Sequence, residues 1–304
     1  MAISAPPRPR ARRIAGFGLS SGDADRLLHF YRNAFGCRLL SRERRSGAHF
    51  ERALRVRGGA QCVTIGLGRE TIEFLQFDNP GAAYPADVAS SDPRFQHFAI
   101  VVADMGEALQ RLSSTPGWTP ISTPGPQRLP RRSGGVTAFK FRDIDGHPLE
   151  LLQFAKHGVP PYWQSSSGGA VFLGVDHSAI VVGDTQRSLA FYAALGLGRI
   201  TGSDNHGIAQ SRLDGVPDAQ VEVTAVAPAV ATPHLELLCY RGKARPPAPV
   251  APIPRSNDVA ATRLLFEADG PARPLSEDAV ERVFLDPDGH RLQFARASAA
   301  PVAA

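Results

Sequence analysis

Cysteine is scarce in this chain. Only Cys37, Cys62 and Cys239 occur in 304 residues, with no Cys-x-x-Cys spacing. An odd, sparse set excludes a disulfide framework and leaves a reducing cytoplasm as the expected compartment. No apolar run approaches membrane length, so no spanning helix is expected. Charged residues make up 21% against 43% hydrophobic, which is a globular balance without the charge excess of a disordered chain. A glycine-rich phosphate loop, a nucleotide fingerprint and a Ser/His/Asp arrangement are all missing. The net charge of +5 comes from scattered arginines, clustered only near the N-terminus and over Arg128–Arg132. Such clusters read as solvated loops, and no nucleic-acid partner is expected. The many Pro, Ala and Arg residues, with few Lys, fit a GC-rich bacterial genome. Residues 1–12 are Pro/Arg-rich, lack the apolar core of a secretory signal, and read as a disordered tail.

What the chain does have is repetition. His97 heads HFAIVVAD and His177 heads HSAIVVGD in the same register, and IAGFGLS (14–20) and ATRLLFEA (261–268) read as related strands. Two of these strands lead into similar amphipathic helices, DADRLLHFYRNAFG (23–36) and DTQRSLAFYAALG (184–196), each with a Phe-Tyr pair and a closing Gly. A shorter helix is expected from Asp104 to Leu112. Asp23, Asp104 and Asp184 are candidate N-caps. Each copy closes on a strand: TIEFLQF (71–77), PLELLQF (148–154), HLELLCY (234–240) and RLQFARA (291–297). Two of these follow Asp-x-Asp-Gly-His turns, at 143–147 and 286–290, whose Asp-Gly pair favours a hairpin. His147 and His290 therefore read as turn residues. The expected fold class is α+β: four βαβββ modules over 13–84, 85–160, 170–245 and 255–297, with linkers at 164–169 and 243–256. A curved sheet from one module cannot bury both faces alone, so the modules should pair into two cup-shaped units. The fourth is truncated, with little room for a helix between Ala268 and Val283.

Glu150 and Glu236 each interrupt an apolar closing strand, where an unpaired carboxylate would be costly to bury. A metal ion would compensate them. His97 and His177 on first strands, with Glu150 and Glu236 on last strands, offer two imidazoles and two carboxylates to one divalent cation such as Ni, Fe, Mn, Co or Zn.

These motifs, with LDPDGHRLQFA (285–295), resemble the vicinal oxygen chelate superfamily. That superfamily includes glyoxalase I, bleomycin-resistance and fosfomycin-resistance proteins, methylmalonyl-CoA epimerase and type I extradiol dioxygenases. The resemblance implies a metal at the floor of a cup, with ligands His97, Glu150, His177 and Glu236. It also implies that the second and third modules share that cup. The first module keeps Glu73 but has Gly16 in place of His. The fourth has Arg263 and Gln293, so the other cup is degenerate, and Arg263 either fills it or faces solvent. The implied activity is a glyoxalase I-like lyase or isomerase acting on a small oxygenated substrate, with Glu150 or Glu236 as base. The alternatives are a dioxygenase at the same metal site or a ligand-binding resistance-type protein, for which Trp118, Trp163, Tyr162 and Phe172 could line a groove. Asn205, His206 and Gln210, expected on middle strands, are candidate substrate contacts. Neither a membrane nor a nucleic acid is an expected partner, and a monomer or homodimer would suffice.

Overall fold

A computed structural model of the chain describes residues 9–164, 169–244, 252–268 and 282–296. The first repeat contains β1 (Ala11–Ser20), α1 (Ala24–Phe35), β2 (Arg38–Arg45), α2 (Ala48–Leu54), β3 (Ala60–Leu67) and β4 (Glu70–Phe77). The second has β5 (Gln96–Val102), α3 (Met105–Ser113), short β6 (Thr119–Pro120) and β7 (Gln127–Arg128), then β8 (Thr137–Arg142) and β9 (Pro148–Gln153). One turn of helix, α4 (Pro161–Gln164), precedes the third repeat. That repeat has β10 (Phe172–Val181), α5 (Thr185–Ala194), β11 (Gly198–His206), α6 (Ile208–Asp214), β12 (Gln220–Ala227) and β13 (His234–Tyr240). The fourth contributes β14 (Arg263–Ala268), β15 (Arg282–Leu285) and β16 (Arg291–Arg296).

The three aspartates cap their helices. Asp23, Asp104 and Asp184 sit in extended backbone and accept the N–H of Arg26, Glu107 and Arg187, satisfying an otherwise orphaned first-turn donor. Gly36 ends α1 at φ 70°, where a Cβ would be strained. Helices α2 and α6 are additions that a plain βαβββ reading does not contain.

Within each repeat the first strand runs parallel to the last: β1 with β4, β5 with β9, β10 with β13 and β14 with β16. First strands then pair antiparallel across repeats, β1 with β14 and β5 with β10. Two mixed sheets result. One has the order β15-β16-β14-β1-β4-β3-β2, and the other β11-β12-β13-β10-β5-β9-β8-β6 with β7 on β8. The core lies where the sheets meet: Phe17 of the first stacks on Phe98 of the second at 4.8 Å, among buried Ile14, Phe74, Ile180 and Leu235. Burying each such side chain stabilises the fold by about 1.5–3 kcal/mol.

The two Asp-x-Asp-Gly-His turns clasp one sheet to the other. Asp143 accepts a hydrogen bond from the Tyr31 hydroxyl at 3.1 Å, and His147 Nε2 meets the Ser20 carbonyl at 3.1 Å, so a turn of the second repeat grips the first repeat. Its counterpart does the converse. Asp286 accepts from Tyr192 at 2.9 Å, and His290 Nε2 meets the Val181 carbonyl at 2.8 Å. Burial pushes His147 toward the neutral form, but the adjacent Asp143 carboxylate outweighs it and raises its proton affinity above the ordinary value. The shared Phe-Tyr pairs thus supply one clasp tyrosine per half, and both histidines act in turns.

One expectation is corrected at the N-terminus. Ala11 and Arg12, assigned to a tail, already belong to β1, where Arg12 and Arg13 both pair with Glu267 of β14. Residues 1–8, most of the two linkers and the missing-helix segment of the fourth repeat lie outside the described residues. All three cysteines are free thiols, and burial pushes Cys37 up to about 12 and Cys62 to about 11.

Candidate metal centre

Strand register brings the sequence-chosen residues to one place. In the β5–β10 pair, His177 lies opposite Ala99 and His97 opposite Ala179. Ala99 is also level with Glu150 of β9, and Ala179 with Glu236 of β13. Residues two apart share a face, so the four side chains rise on the same side, around two small alanines. That face is the floor of an open cavity of about 320 Å³.

Three of the four converge closely. Donor atoms of His97, Glu150 and His177 lie within 4.8 Å of one another, and all three residues are buried. His97 Nε2 is 3.3 Å from Glu150 Oε2. Glu236 stands outside this group, with Oε2 3.6 Å from His177 Nε2 and its side chain 24% exposed.

A second group contains residues that sequence reasoning missed. Asp176, His177 and His234 also bring donor atoms within 4.8 Å. Asp176 accepts from the Trp163 indole at 3.0 Å and contacts His177 Nδ1 at 3.1 Å. Strand alternation would turn Asp176 away from His177, but the β5–β10 register shifts between Val175 and His177, and such a bulge re-aims the extra residue. His234 had a legible cue: it precedes Glu236 by two positions and shares its face.

The electrostatics follow from these contacts. Burial would lower His177, but Glu236, Asp176 and Glu150 together lift it to about 9. Burial would raise Glu236, yet His177 and His234 hold it at about 2. Glu150 is likewise kept below the carboxylate range against burial by His97 and Lys140. His97 goes the other way, depressed first by burial and then by the Lys140 charge.

Lys140 is a further missed residue. On β8 it pairs directly across from Glu150, its buried ammonium 3.9 Å from Glu150 Oε2 and 2.7 Å from Asp214 Oδ1 at the end of α6. Asp214 Oδ2 accepts from Gln210 at 2.8 Å and Tyr240 at 2.9 Å.

Of the candidate substrate contacts, Asn205 and Gln210 line the cavity, and Asn205 Oδ1 and Gln210 Oε1 have no hydrogen-bond partner. Two corrections apply. Gln210 belongs to helix α6 rather than a middle strand. His206 follows Asn205 on β11, so alternation turns it outward, where it is exposed and lines a separate depression. Among the aromatics proposed for a groove, Trp118, Trp163, Tyr162 and Phe172, none lines the cavity.

The model of the Glyoxalase/Bleomycin resistance protein/Dioxygenase superfamily matches residues 13–151 and 174–294. The chain belongs to that superfamily. It is 28% identical over 194 residues to lactoylglutathione lyase of Arabidopsis thaliana, an alignment covering 63% of this chain and 57% of that relative's length. Its fold is similar to the crystal structure of glyoxalase I from Zea mays, with a TM-score of 0.57, 20% identity, and 93% and 92% of the two chains covered.

The same register identifies the other cup of this superfamily member. Gly18 of β1 lies level with Glu73 of β4 as Ala179 lies level with Glu236, and Leu265 of β14 lies level with Gln293 of β16 as Ala99 lies level with Glu150. Gly16 and Arg263 then stand where the central cup has His177 and His97. Arg263 does not face solvent. It is fully buried, its nearest hydrogen-bond contact is Ser20 Oγ at 3.4 Å, and burial lowers it to about 10. Glu73 is instead paired with Arg45 at 2.9 Å.

Proposed function

We propose that the central cup holds one divalent metal ion and catalyses a glyoxalase I-like proton-transfer reaction on a small substrate with vicinal oxygens. The carrying observation is that two imidazoles and a carboxylate from facing strands converge within 4.8 Å on a cavity floor, with a second carboxylate beside them. The donor set fits a first-row cation, because two imidazoles and a carboxylate brought together on one floor are ligands such ions accept, His177 giving up its proton on binding. His97, Glu150 and His177 would hold the ion, with Glu236 completing the set or leaving it. When bound, the ion supplies Lewis-acid polarisation of the substrate oxygens.

The chain's own residues do the rest. Asp176 accepts the Nδ1–H of His177, which points the Nε2 lone pair into the cup. Glu236, outside the tight group and partly exposed, is ionised, and it is placed to take a proton from the substrate carbon and return it to the adjacent carbon once the His177 proton that weakens it as a base is lost. Asn205 and Gln210 present carbonyl acceptors to a substrate hydroxyl or amide. Both halves of the cup come from one chain, so a monomer suffices. Among the described residues, no helix is long and apolar enough to cross a membrane.

The test begins with elemental analysis of the isolated protein and metal removal and return. The first substrate to try is the one for which the plant relative is named, following formation or breakdown of lactoylglutathione. Glu236→Gln should keep the metal and lose about 10²–10⁴-fold in kcat, whereas Glu150→Gln should lose metal affinity first. Equal metal loss in both variants would refute the division of roles.

A second reading has its own support. His97, Glu150 and His177 alone form a two-His, one-carboxylate set, which is the ligand type of non-haem Fe(II) oxygenases. Selective Fe(II) retention with oxygen consumption would favour that reading.

A further inference from the structure

Besides the metal donors, one charged group in the cup has bonding capacity that the fold does not use. An ammonium carries three N–H donors. For Lys140, Asp214 accepts one at 2.7 Å, while Glu150 Oε2 at 3.9 Å is beyond hydrogen-bond range. On its other side is the Phe95 ring, 6.0 Å from Nζ, which supplies no acceptor. Lys140 lines the same cavity as the candidate ligands, although its side chain is only 5% exposed.

Asp214 holds this ammonium in place. Its carboxylate accepts from Lys140, Gln210 and Tyr240, all buried, so the lysine is anchored from the opposite half of the cup. Much of the surrounding wall is apolar, with Leu152, Leu213, Val223 and Leu238 lining it. A buried, fixed cation with unspent donors, next to a chelating site and among apolar walls, is an anion-recognition group.

We propose that Lys140 is a specificity-determining residue that receives a carboxylate carried on the carbon next to the metal-chelating oxygens. The substrate class of the cup is then an anionic vicinal-oxygen compound, such as an acid oxygenated at both C2 and C3. This rests on the metal-site reading above. Arg132, exposed at the cavity rim, adds a second positive charge on the approach.

The test uses the full chain loaded with Co²⁺, whose visible spectrum reports ligand entry. Two probes are titrated: tartronate, which chelates through its hydroxyl and one carboxylate and carries a second carboxylate on the same carbon, and glycolate, which forms the same chelate without one. Lys140→Gln should weaken tartronate by about tenfold or more, leave glycolate nearly unchanged, and retain Co²⁺ as well as the parent does. Lys140→Arg should recover part of the tartronate affinity. Should Lys140→Gln fold poorly because Asp214 loses its counter-charge, the Lys140→Gln/Asp214→Asn double variant removes both charges and is read in the same way. Equal weakening of both probes, or of neither, overturns the proposal while leaving the metal site standing. A parent protein that takes up no Co²⁺ overturns the metal reading and this inference with it.

Discussion

Replacing Asp176 by Asn separates two effects that the structure superimposes on His177. The carboxylate accepts from Nδ1 at 3.1 Å, which fixes the tautomer with its lone pair on Nε2, facing the cup. An Asn amide can donate instead, turning the imidazole to the tautomer whose Nε2 bears hydrogen and cannot ligate. Losing such a partner typically costs 10–100-fold in metal affinity. The same carboxylate, together with Glu236 and Glu150, lifts His177 to about 9. At pH 7 an incoming cation must therefore displace a bound proton, a penalty on the order of a few kcal/mol. Asp176→Asn removes part of that penalty. The sign follows: the raised His177 favours the protonated, metal-free form below its folded value and ceases to compete as pH rises through about 9. The variant's deficit should accordingly be small near pH 7 and reach the full 10–100-fold near pH 9. Competition titration against a chromophoric chelator across that range measures it. A deficit that does not vary with pH, or no deficit at all, would refute the tautomer argument.

Two stability predictions follow from the rest of the fold. Tyr192→Phe leaves buried Asp286 without its tyrosine donor, so urea denaturation should show a loss of about 1–3 kcal/mol, and an unchanged midpoint would mean that the clasp contributes nothing. Arg263→Met removes a buried guanidinium whose Nε and one terminal nitrogen have no partner, while Glu73 keeps Arg45. The same measurement should show unchanged or increased stability, by up to about 1–4 kcal/mol, and a clear loss would show that Arg263 is a needed counter-charge.

The sequence made the repeats, caps and turns legible because each rests on local chemistry: an Asp before a helix, an Asp-Gly in a turn, apolar strands of similar sequence. Repetition also exposed His97, Glu150, His177 and Glu236, since a polar residue recurring at one register in apolar strands is visible without coordinates. Other members of the cup were hidden for physical reasons. Asp176 reaches the site only through a bulge, which breaks the alternation that a sequence reading assumes. Lys140 lies in TAFKFR, where a lysine reads as solvent-facing; its burial depends on Asp214, which is contributed by another repeat. Gln210 reads as a strand residue because α6, absent from the first-order repeat pattern, is inserted between β11 and β12.

The asymmetry between the cups is written into the backbone as well as into the ligands. A Cβ at Gly16 would lie 2.1 Å from the Thr71 carbonyl oxygen, so no histidine fits there without moving β1 from β4. A Cβ at Gly18 would lie 2.7 Å from the Arg263 guanidinium, in the space that Ala179 fills in the central cup. The arginine thus occupies room made by one glycine, beside a strand pair closed tight by another. Restoring the ligand types at positions 263 and 293 would leave that cup without a fourth-corner imidazole and with Glu73 still bound to Arg45. A carboxylate already neutralised by a guanidinium offers a metal much less than the paired but chelatable Glu150. The outer cup is thus filled by its own arginines, which is why the proposed chemistry belongs to the central cup.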